Sequence, residues 1–239
     1  MGEYLNRKGY TALGVRLAGH ATRPQDMIGS NWSDWTASVE DGYRLLQGAV
    51  DRIYLIGLSM GGALSLLMST RLNVEAVVAI STPYKLAADW RLNFIYLIAK
   101  LQPFLSKSSG PPGEGWFDKQ AYKDQVSYPR NPVRAIGQLN VLISEMRSVL
   151  PQIHQPVLLV HSRDDHYVPP ENMEFIFAAL AGTSEKKKVY ITGSGHVATK
   201  DAKRDLVFKT IYDFISRLEA SRLQDRARKS GPRGKRGSA

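Results

Sequence analysis

The sequence predicts an α/β protein in which helices flank a mainly parallel sheet and a helical cap is inserted between two strands. Two patterns carry this prediction. Short runs rich in β-branched residues alternate with longer helical stretches, as in strands joined by crossover helices. Between the middle strands this alternation stops, and aromatic helical pieces take its place. We therefore expect a core in two sections, 1–83 and 156–218, with a cap over 84–155.

The bulk composition is that of one globular domain of catalytic size. Its 239 residues are 43% hydrophobic, enough for one substantial core. The longest apolar runs are far shorter than the roughly 20 residues that cross a bilayer. No secretory leader is recognisable and cysteine is absent, which excludes a thiolate nucleophile and Cys-based metal sites. We expect a cytoplasmic protein without a membrane-spanning segment, a disulfide or a cofactor.

The net charge of +10 is concentrated at the end of the chain. From Arg217 onward, eight basic residues stand against two acidic ones, in a stretch that closes with glycine, proline and serine. This composition predicts a basic disordered tail over 219–239. Because no nucleic-acid motif accompanies the tail, we expect no specific nucleic-acid partner.

The first half of the chain predicts a central unit of strand, tight turn, helix and strand. Apolar residues recur at helical spacing in the helices, and the last strand of this half is fully apolar. The predicted elements are a helical fragment over Glu3–Lys8, a strand over Thr11–Leu17, a helix over Asp34–Val50 with Ser33 or Asp34 as its N-cap, a strand over Arg52–Leu58, a helix over Met60–Arg71 and a strand over Val74–Ser81.

The second half predicts the cap and then a return to alternation. Beyond a loop over 106–113, the pattern gives a strand over Val157–His161, a helix over Glu171–Leu180, a strand over Lys187–Thr192 and a terminal helix through Leu218. Six apolar residues of the cap have two possible roles. They line a lid over the site, or they form a small core of the cap itself, which is the commoner role of aromatic residues at helical spacing. They are Trp90, Phe94, Tyr96, Leu97, Leu101 and Phe104.

The segment Gly57-Leu58-Ser59-Met60-Gly61-Gly62 carries the strongest chemical signal. Its glycines fall where a sharp turn from strand to helix needs residues without a Cβ. On such an elbow the serine backbone is strained and its hydroxyl projects above the sheet edge, beside the first N–H groups of the helix. We predict Ser59 as a nucleophile and the Met60 N–H as an oxyanion donor. The alternative is an ordinary glycine-rich turn.

A serine nucleophile needs a base and a carboxylate that orients the base, and both follow in the chain. Asp165 comes after a late strand and precedes Pro169-Pro170, which fixes the turn into the next helix. Its neighbour Asp164 is the alternative acid. His196 lies in the glycine-flanked loop after the last strand, so the order serine, acid, histidine is complete.

The remaining histidines are weaker candidates for the base. His20 and His154 lie in loops, where a satisfied structural histidine is the commoner outcome. A metal site built from His161, Asp164, Asp165 and His166 is a further alternative, but this spacing fits no familiar zinc or two-metal pattern. We therefore expect no metal.

These residues resemble the carboxylesterase and monoacylglycerol lipase group of the α/β-hydrolases over nearly the whole chain. Besides the elbow, the matching segments are Tyr10 to His20, which looks like that group's strand and RLPGHG loop, Trp32-Ser33-Asp34-Trp35, Asp165-His166-Tyr167-Val168-Pro169 and Gly195-His196. Ala18 and Ala21 depart from the loop's proline and second glycine. The resemblance implies an α/β-hydrolase fold and hydrolysis of short- or medium-chain carboxylic esters or monoacylglycerols through an acyl-serine intermediate.

That group also has an HGF- or HGG-like loop, whose backbone supplies a second oxyanion N–H, and this sequence shows no counterpart. By the resemblance, we expect the first strands to be missing too, as though the chain began at an internal methionine. Losing one oxyanion donor costs about 10²–10³ in rate. Two alternatives therefore stay open: a hydrolase-fold protein that binds a ligand or partner with impaired catalysis, and a thioesterase or acyltransferase with the same triad.

Overall fold

The computed structural model describes residues 1–106, 111 and 113–230, and of 225–230 only the backbone. The helices are α1 (Gly2–Asn6), α2 (Pro24–Gly29), α3 (Trp32–Gln47), α4 (Met60–Ser69), α5 (Ile95–Leu101), α6 (Lys119–Lys123), α7 (Val133–Val149), α8 (Glu171–Ala179) and α9 (Arg204–Ser230). The strands are β1 (Tyr54–Leu58), β2 (Ala76–Ile80), β3 (Phe104–Ser106), β4 (Arg130–Pro132), β5 (Val157–Ser162) and β6 (Lys186–Ile191). Short 3₁₀ helices cover Trp90–Phe94 and Leu150–Gln152. Most of the predicted loop over 106–113 lies outside the described residues.

Four strands form a parallel sheet in the order β1-β2-β5-β6. Strands β2 and β5 are buried along their whole length. Helices cover both faces, so these strands consist almost entirely of apolar residues instead of alternating with polar ones. Because all four strands point the same way, the loops after β1, β5 and β6 leave the sheet at one edge.

Each face of the sheet packs against its own set of helices. Side chains of α3, α4, α7 and α8 form one buried cluster with Val77 and Ala79 of β2. The intervening residues of β2 pack on the other face with α9, and Tyr4 of α1 lies against that second cluster. The two-residue alternation of β2 therefore divides its side chains between two cores.

Helix α7 belongs to the main core even though it falls within the predicted cap. Helix α7 contacts α4, and three of its residues and the residue just after it are buried in the same cluster as α4: Leu142, Ile143, Met146 and Leu150. The division of the chain at 83 and 156 stays a prediction, and the packing shows that the last helix of this segment belongs to the main core.

The predicted strand over Thr11–Leu17 is wrong. The segment has no regular secondary structure, and the structure gives it no strand partner among the described residues. A cavity of about 1140 Å³ separates residues 10–14 from Tyr54 and Ile56 of β1. Strands must lie within about 4.8 Å of each other to share hydrogen bonds, so an apolar, β-branched pattern here does not suffice.

The N-cap of α3 also differs from the prediction. It is Asn31, not Ser33 or Asp34, and Asp34 occupies the third helical position. The Asn31 backbone N–H donates to the Asp34 carboxylate at 2.8 Å, while the Asn31 side chain accepts from the backbone at Asp34. This reciprocal capping box satisfies two N–H groups that the first turn leaves without partners.

The predicted disordered tail is wrong for residues 219–230, which continue α9. Glu219 accepts hydrogen bonds from the hydroxyls of Tyr10 at 2.9 Å and Tyr54 at 3.2 Å, and Arg222 pairs with Glu75. Burial, together with the neighbouring Glu219 carboxylate, raises the pKa of both tyrosines to about 12. These contacts fix the helix to the sheet. The rest of the predicted tail, 231–239, lies outside the described residues.

The apolar residues of the predicted cap do not form a core of their own. Trp90, Phe94, Leu97 and Leu101 are each more than half exposed. They follow one another at helical spacing, so they form an exposed apolar stripe, and the role of a lid over the site stays a prediction. In the part of the chain that the structure covers, none of the helices has the length and apolar content to cross a membrane.

We expect amide hydrogen exchange to show that β1 is paired on one side only. The Ser59 N–H donates to Ile80, and the register with β2 places the Leu55 and Gly57 N–H groups on the same side. The N–H groups of Tyr54 and Ile56 point the other way, where the described residues offer no acceptor. These two amides should exchange about tenfold faster than those of Leu55 and Gly57, which corresponds to about 1.4 kcal/mol. Equal protection along β1 would contradict a one-sided pairing.

Candidate active site

Ser59 occupies the turn between β1 and α4. Its backbone has φ 55° and ψ −118°, a positive φ that a residue with a Cβ rarely adopts. Such a conformation costs on the order of 1–3 kcal/mol and persists only where the surrounding structure fixes it. The turn directs the hydroxyl away from the strand, at the edge of the sheet where the late loops also emerge.

Gly57 and Gly62 allow this turn, whereas Gly61 is not needed for it. A Cβ on Gly57 would overlap the carbonyl group of Gly61, and a Cβ on Gly62 would overlap the Thr82 side chain. A Cβ on Gly61 would meet nothing. The close approach of the end of β1 to the start of α4 therefore explains the requirement at Gly57, the Thr82 side chain explains the one at Gly62, and Gly61 is sterically free.

The structure brings Ser59, His196 and Asp165 into one hydrogen-bonded chain. The Nε2 atom of His196 lies 3.0 Å from the Ser59 Oγ, and its Nδ1 atom lies 2.8 Å from the Asp165 Oδ2. A carboxylate can only accept, so Nδ1 carries the proton and Nε2 is left to accept from the serine hydroxyl. This is the arrangement in which an imidazole acts as a general base.

Asp165 is only 2% exposed, and several hydrogen-bond donors surround its carboxylate. Its Oδ1 accepts from the backbone N–H groups of Tyr167 at 2.9 Å and Val168 at 2.8 Å. Burial by itself raises the pKa of a carboxyl group, but hydrogen bonds from His161 and His196 outweigh it and hold the pKa of Asp165 below its ordinary value. The carboxylate therefore stays ionised at neutral pH.

His161 is a contact of this site that the sequence analysis did not assign. It is completely buried at the end of β5, and its Nε2 lies 3.3 Å from the Asp165 Oδ2 and 2.9 Å from the Val168 carbonyl oxygen. The sequence signal was a histidine closing an otherwise apolar buried strand, four residues before the acid. The His161 side chain therefore contacts the Asp165 loop at both Asp165 and Val168 and helps to fix its conformation.

Asp164, the alternative acid, points elsewhere. Its Oδ2 accepts from the Gly193 N–H at 2.7 Å and so ties the acid loop to the loop that carries His196. The other loop histidines have local partners: His20 binds the Ala18 carbonyl and His154 binds the Gly182 carbonyl, each at 3.0 Å.

The side chains proposed for a metal site do not converge. His161 and Asp165 are buried, whereas His166 is exposed. Among the residues that the structure describes, no group of three or more candidate ligands is close enough to hold a metal ion.

Tyr167 borders the site on the solvent side. Its ring centroid lies 5.0 Å from that of His196, and three quarters of the residue is exposed. Sequence reasoning included Tyr167 in the acid loop without giving it a role. An exposed aromatic ring next to the imidazole offers an apolar surface at the point where a substrate would approach.

The Met60 N–H is the first N–H of α4. The first N–H groups of a helix have no intrahelical acceptor, and they carry the positive end of the helix dipole. The N–H therefore lies next to Ser59 with capacity to bind a developing negative charge. Its role as an oxyanion donor stays a prediction.

Comparison with known proteins identifies the family. A sequence profile described as the alpha/beta hydrolase family matches residues 3–208, which is most of the chain. The chain belongs to the alpha/beta hydrolase family. The predicted fold class, a parallel sheet flanked by helices in an α/β-hydrolase fold, is confirmed.

Two relatives of this alpha/beta hydrolase come from Bacillus and bear the names of enzymes. A carboxylesterase of Bacillus subtilis (strain 168) is 28% identical over 221 residues, covering 92% of this chain and 86% of its own. A thermostable monoacylglycerol lipase of Bacillus sp. (strain H-257) is 30% identical over 227 residues, covering 91% and 84%. The resemblance to the esterase and lipase group is thereby confirmed.

Solved structures agree with this assignment. A structure reported for the metagenome-derived lipolytic enzymes LipS and LipT superposes with a TM-score of 0.80 at 31% identity, covering 90% of this chain and 86% of that one. A monoacylglycerol lipase of Paleococcus ferrophilus has a TM-score of 0.66 at 18% identity, covering 79% and 76%, and this likeness shows the fold alone.

The two glycines flanking Ser59 should respond oppositely to alanine. Gly57→Ala forces a Cβ into the Gly61 backbone and should cost about 3 kcal/mol of unfolding free energy. Gly61→Ala adds a methyl group in open space within a helix and should be neutral or stabilise by up to about 1 kcal/mol. Urea unfolding of both variants measures this. Equal destabilisation by the two substitutions would show that the close approach at Gly57 is not the constraint.

The contribution of Asp165 to stability should depend on pH with a definite sign. Its pKa is lower in the folded chain than in the unfolded one, so stability is gained above the unfolded value of about 3.9 and is lost below it. At pH 7, Asp165→Asn should lower the unfolding free energy by about 2 kcal/mol. The difference from the unsubstituted chain should persist to about pH 4 and shrink below it. The measurement is urea unfolding from pH 7 to pH 2, with the exposed Asp205→Asn as control.

Proposed function

We propose that this chain is a serine carboxylic-ester hydrolase of the carboxylesterase and monoacylglycerol lipase type, with Ser59, His196 and Asp165 as its catalytic residues. The observation that supports the proposal most directly is the chain of hydrogen bonds from the Ser59 Oγ through both imidazole nitrogens to the buried carboxylate. The names of the two bacterial relatives point to the same reaction class. Short- or medium-chain carboxylic esters and monoacylglycerols are the proposed substrates.

In the acylation step, the His196 Nε2 accepts the hydroxyl proton while the Ser59 Oγ forms a bond to the carbonyl carbon of the ester. The carbonyl oxygen becomes negatively charged, and the Met60 N–H is the donor that we assign to it. When the carbon–oxygen bond to the alcohol breaks, the imidazolium returns its proton to the leaving alkoxide. The product is an acyl-serine and a free alcohol.

Deacylation repeats the proton transfers with water. The His196 Nε2 accepts a proton from water as the hydroxide oxygen attacks the acyl carbon, and the imidazolium then protonates the Ser59 Oγ as the ester bond breaks. Throughout, the ionised Asp165 accepts the hydrogen bond from the His196 Nδ1–H group and stabilises the positive imidazolium. The low pKa of this carboxyl group keeps the orienting charge in place.

We also propose a cytoplasmic location, since a chain without cysteine has no disulfide framework that would point to an oxidising compartment.

A fluorophosphonate probe tests the nucleophile. The unsubstituted chain should be labelled at Ser59, whereas Ser59→Ala should not be labelled and should lose at least about 10⁴-fold in hydrolysis of a short p-nitrophenyl ester. His196→Ala should lose both activities to a similar extent, because the serine hydroxyl then has no base. Ser148→Ala, which removes another helix hydroxyl, is the matched control and should keep full activity. Labelling of the Ser59→Ala chain at the normal rate would end the proposal.

The same assay distinguishes the alternatives. A hydrolase-fold binding protein would give neither labelling nor hydrolysis in the unsubstituted chain. A thioesterase or acyltransferase would be labelled at Ser59, but thioester substrates, or alcohol acceptors competing with water, would be preferred over simple ester hydrolysis.

A further inference from the structure

Asp201 is a completely buried carboxylate outside the chain of Ser59, His196 and Asp165. All its described hydrogen-bond donors are backbone N–H groups, and they come from two separate parts of the chain besides its own neighbour Ala202. A carboxylate buried without donors would cost several kcal/mol, so these backbone groups are what makes the position tenable.

The two oxygens of Asp201 serve different segments. Oδ1 accepts from the N–H groups of Phe117 at 3.0 Å, Asp118 at 2.6 Å and Ala202 at 2.8 Å. Oδ2 accepts from the Gly195 N–H at 2.6 Å, with a second, longer contact of 3.2 Å to Phe117. One side chain therefore joins the segment 115–118, which lies between β3 and α6, to the residue immediately before His196.

The backbones at this junction are in direct contact. A Cβ on Gly195 would overlap the carbonyl oxygen of Gly115, so the two loops approach without a side chain between them. Arg204 adds a second tie, because its Nη1 donates to the Asp118 Oδ2 at 2.9 Å. That ion pair is partly exposed and contributes little by itself.

The loop before His196 is held at each of its residues. The Gly193 N–H binds Asp164, the Ser194 carbonyl oxygen accepts from the Ser162 hydroxyl, and the Gly195 N–H binds Asp201. Ser162 is the last residue of β5, and Asp164 lies in the turn directly after it. Asp164 and Ser162 therefore tie the His196 loop to the sheet, whereas Asp201 ties it to the segment 115–118.

We propose that Asp201 is a positioning residue for His196: its carboxylate fixes the Gly195–His196 loop against the segment 115–118 and so sets the place of the imidazole over Ser59. The proposal rests on the hydrolase function proposed above. It also makes the segment 115–118 part of the support of the active site, so a displacement of this segment reaches His196 through the Asp201 carboxylate and the contact between Gly115 and Gly195.

Asp201→Asn is an informative substitution because an amide has one acceptor oxygen and one donor group. Its oxygen can replace Oδ1 and keep Phe117, Asp118 and Ala202, but its NH₂ group then faces the Gly195 N–H. A displacement of about 1 Å in a catalytic group costs up to about 10²-fold. We expect kcat for a short p-nitrophenyl ester to fall about 10- to 100-fold while KM changes less than about threefold.

The matched control is Asp205→Asn, the same substitution on an exposed side chain, which should leave kcat unchanged. Rates are expressed per site titrated with the fluorophosphonate, so only folded molecules count. A role confined to stability would lower the melting temperature of Asp201→Asn and leave kcat per titrated site unchanged. That result would overturn the proposal.

Amide hydrogen exchange tests the same contact without catalysis. In the unsubstituted chain, the Phe117, Asp118 and Gly195 amides should share one opening free energy. In Asp201→Asn the Gly195 amide should lose protection while the amides of β2 and β5 keep theirs. If Gly195 exchanges independently of Phe117 in the unsubstituted chain, the proposed coupling is wrong. Since this measurement needs no ester hydrolysis, it remains decisive if the proposed function fails.

Discussion

Gly57 and Gly61 approach each other so closely that no side chain fits on Gly57, and this closeness turns β1 into α4 within one residue. Everything at the site depends on that turn. It forces Ser59 into a positive φ, directs its hydroxyl out of the sheet and places the first N–H groups of α4 beside it. The strain is tolerable because β1 and β2 are paired and α4 is buried on the sheet, so the surrounding core holds the turn in place.

A second constraint is electrostatic. Burying Asp165 would neutralise it in an apolar site, yet two backbone N–H groups and two histidines surround it and favour the ionised form. The ionised carboxylate determines which imidazole nitrogen carries the proton, and thereby which one faces Ser59. The chemistry proposed for this protein follows from the donors around one carboxylate as much as from the serine itself.

The parallel sheet brings these parts together, because the loops after β1, β5 and β6 emerge at the same edge. The loops are then tied to one another by single polar contacts, such as Asp164 to the Gly193 N–H and Asp201 to both Gly195 and Phe117. A continuous core anchors the strands, whereas the relative position of the loops depends on a few buried hydrogen bonds. Small changes at these bonds therefore act on the geometry of the site without unfolding the sheet.

The sequence alone predicted the elements whose periodicity is strong, which are β1, α4, β2, β5 and β6. It also predicted the candidate site residues whose order and glycine neighbours are distinctive, which are Ser59, His196 and the acid loop. The sequence could not predict the structure of segments whose conformation depends on contacts with residues far away in the chain. The segment 11–17 has a strand's composition but lacks a partner, and residues 219–222 have a tail's composition but bind Tyr10, Tyr54 and Glu75. The contacts of His161 with Asp165 and of Asp201 with two loops likewise arise only on folding. The local sequence specifies which backbone conformation a segment prefers. The hydrogen-bond partners of a strand edge, and the donors around a charged or buried carboxylate, come from distant residues that only the tertiary structure brings near.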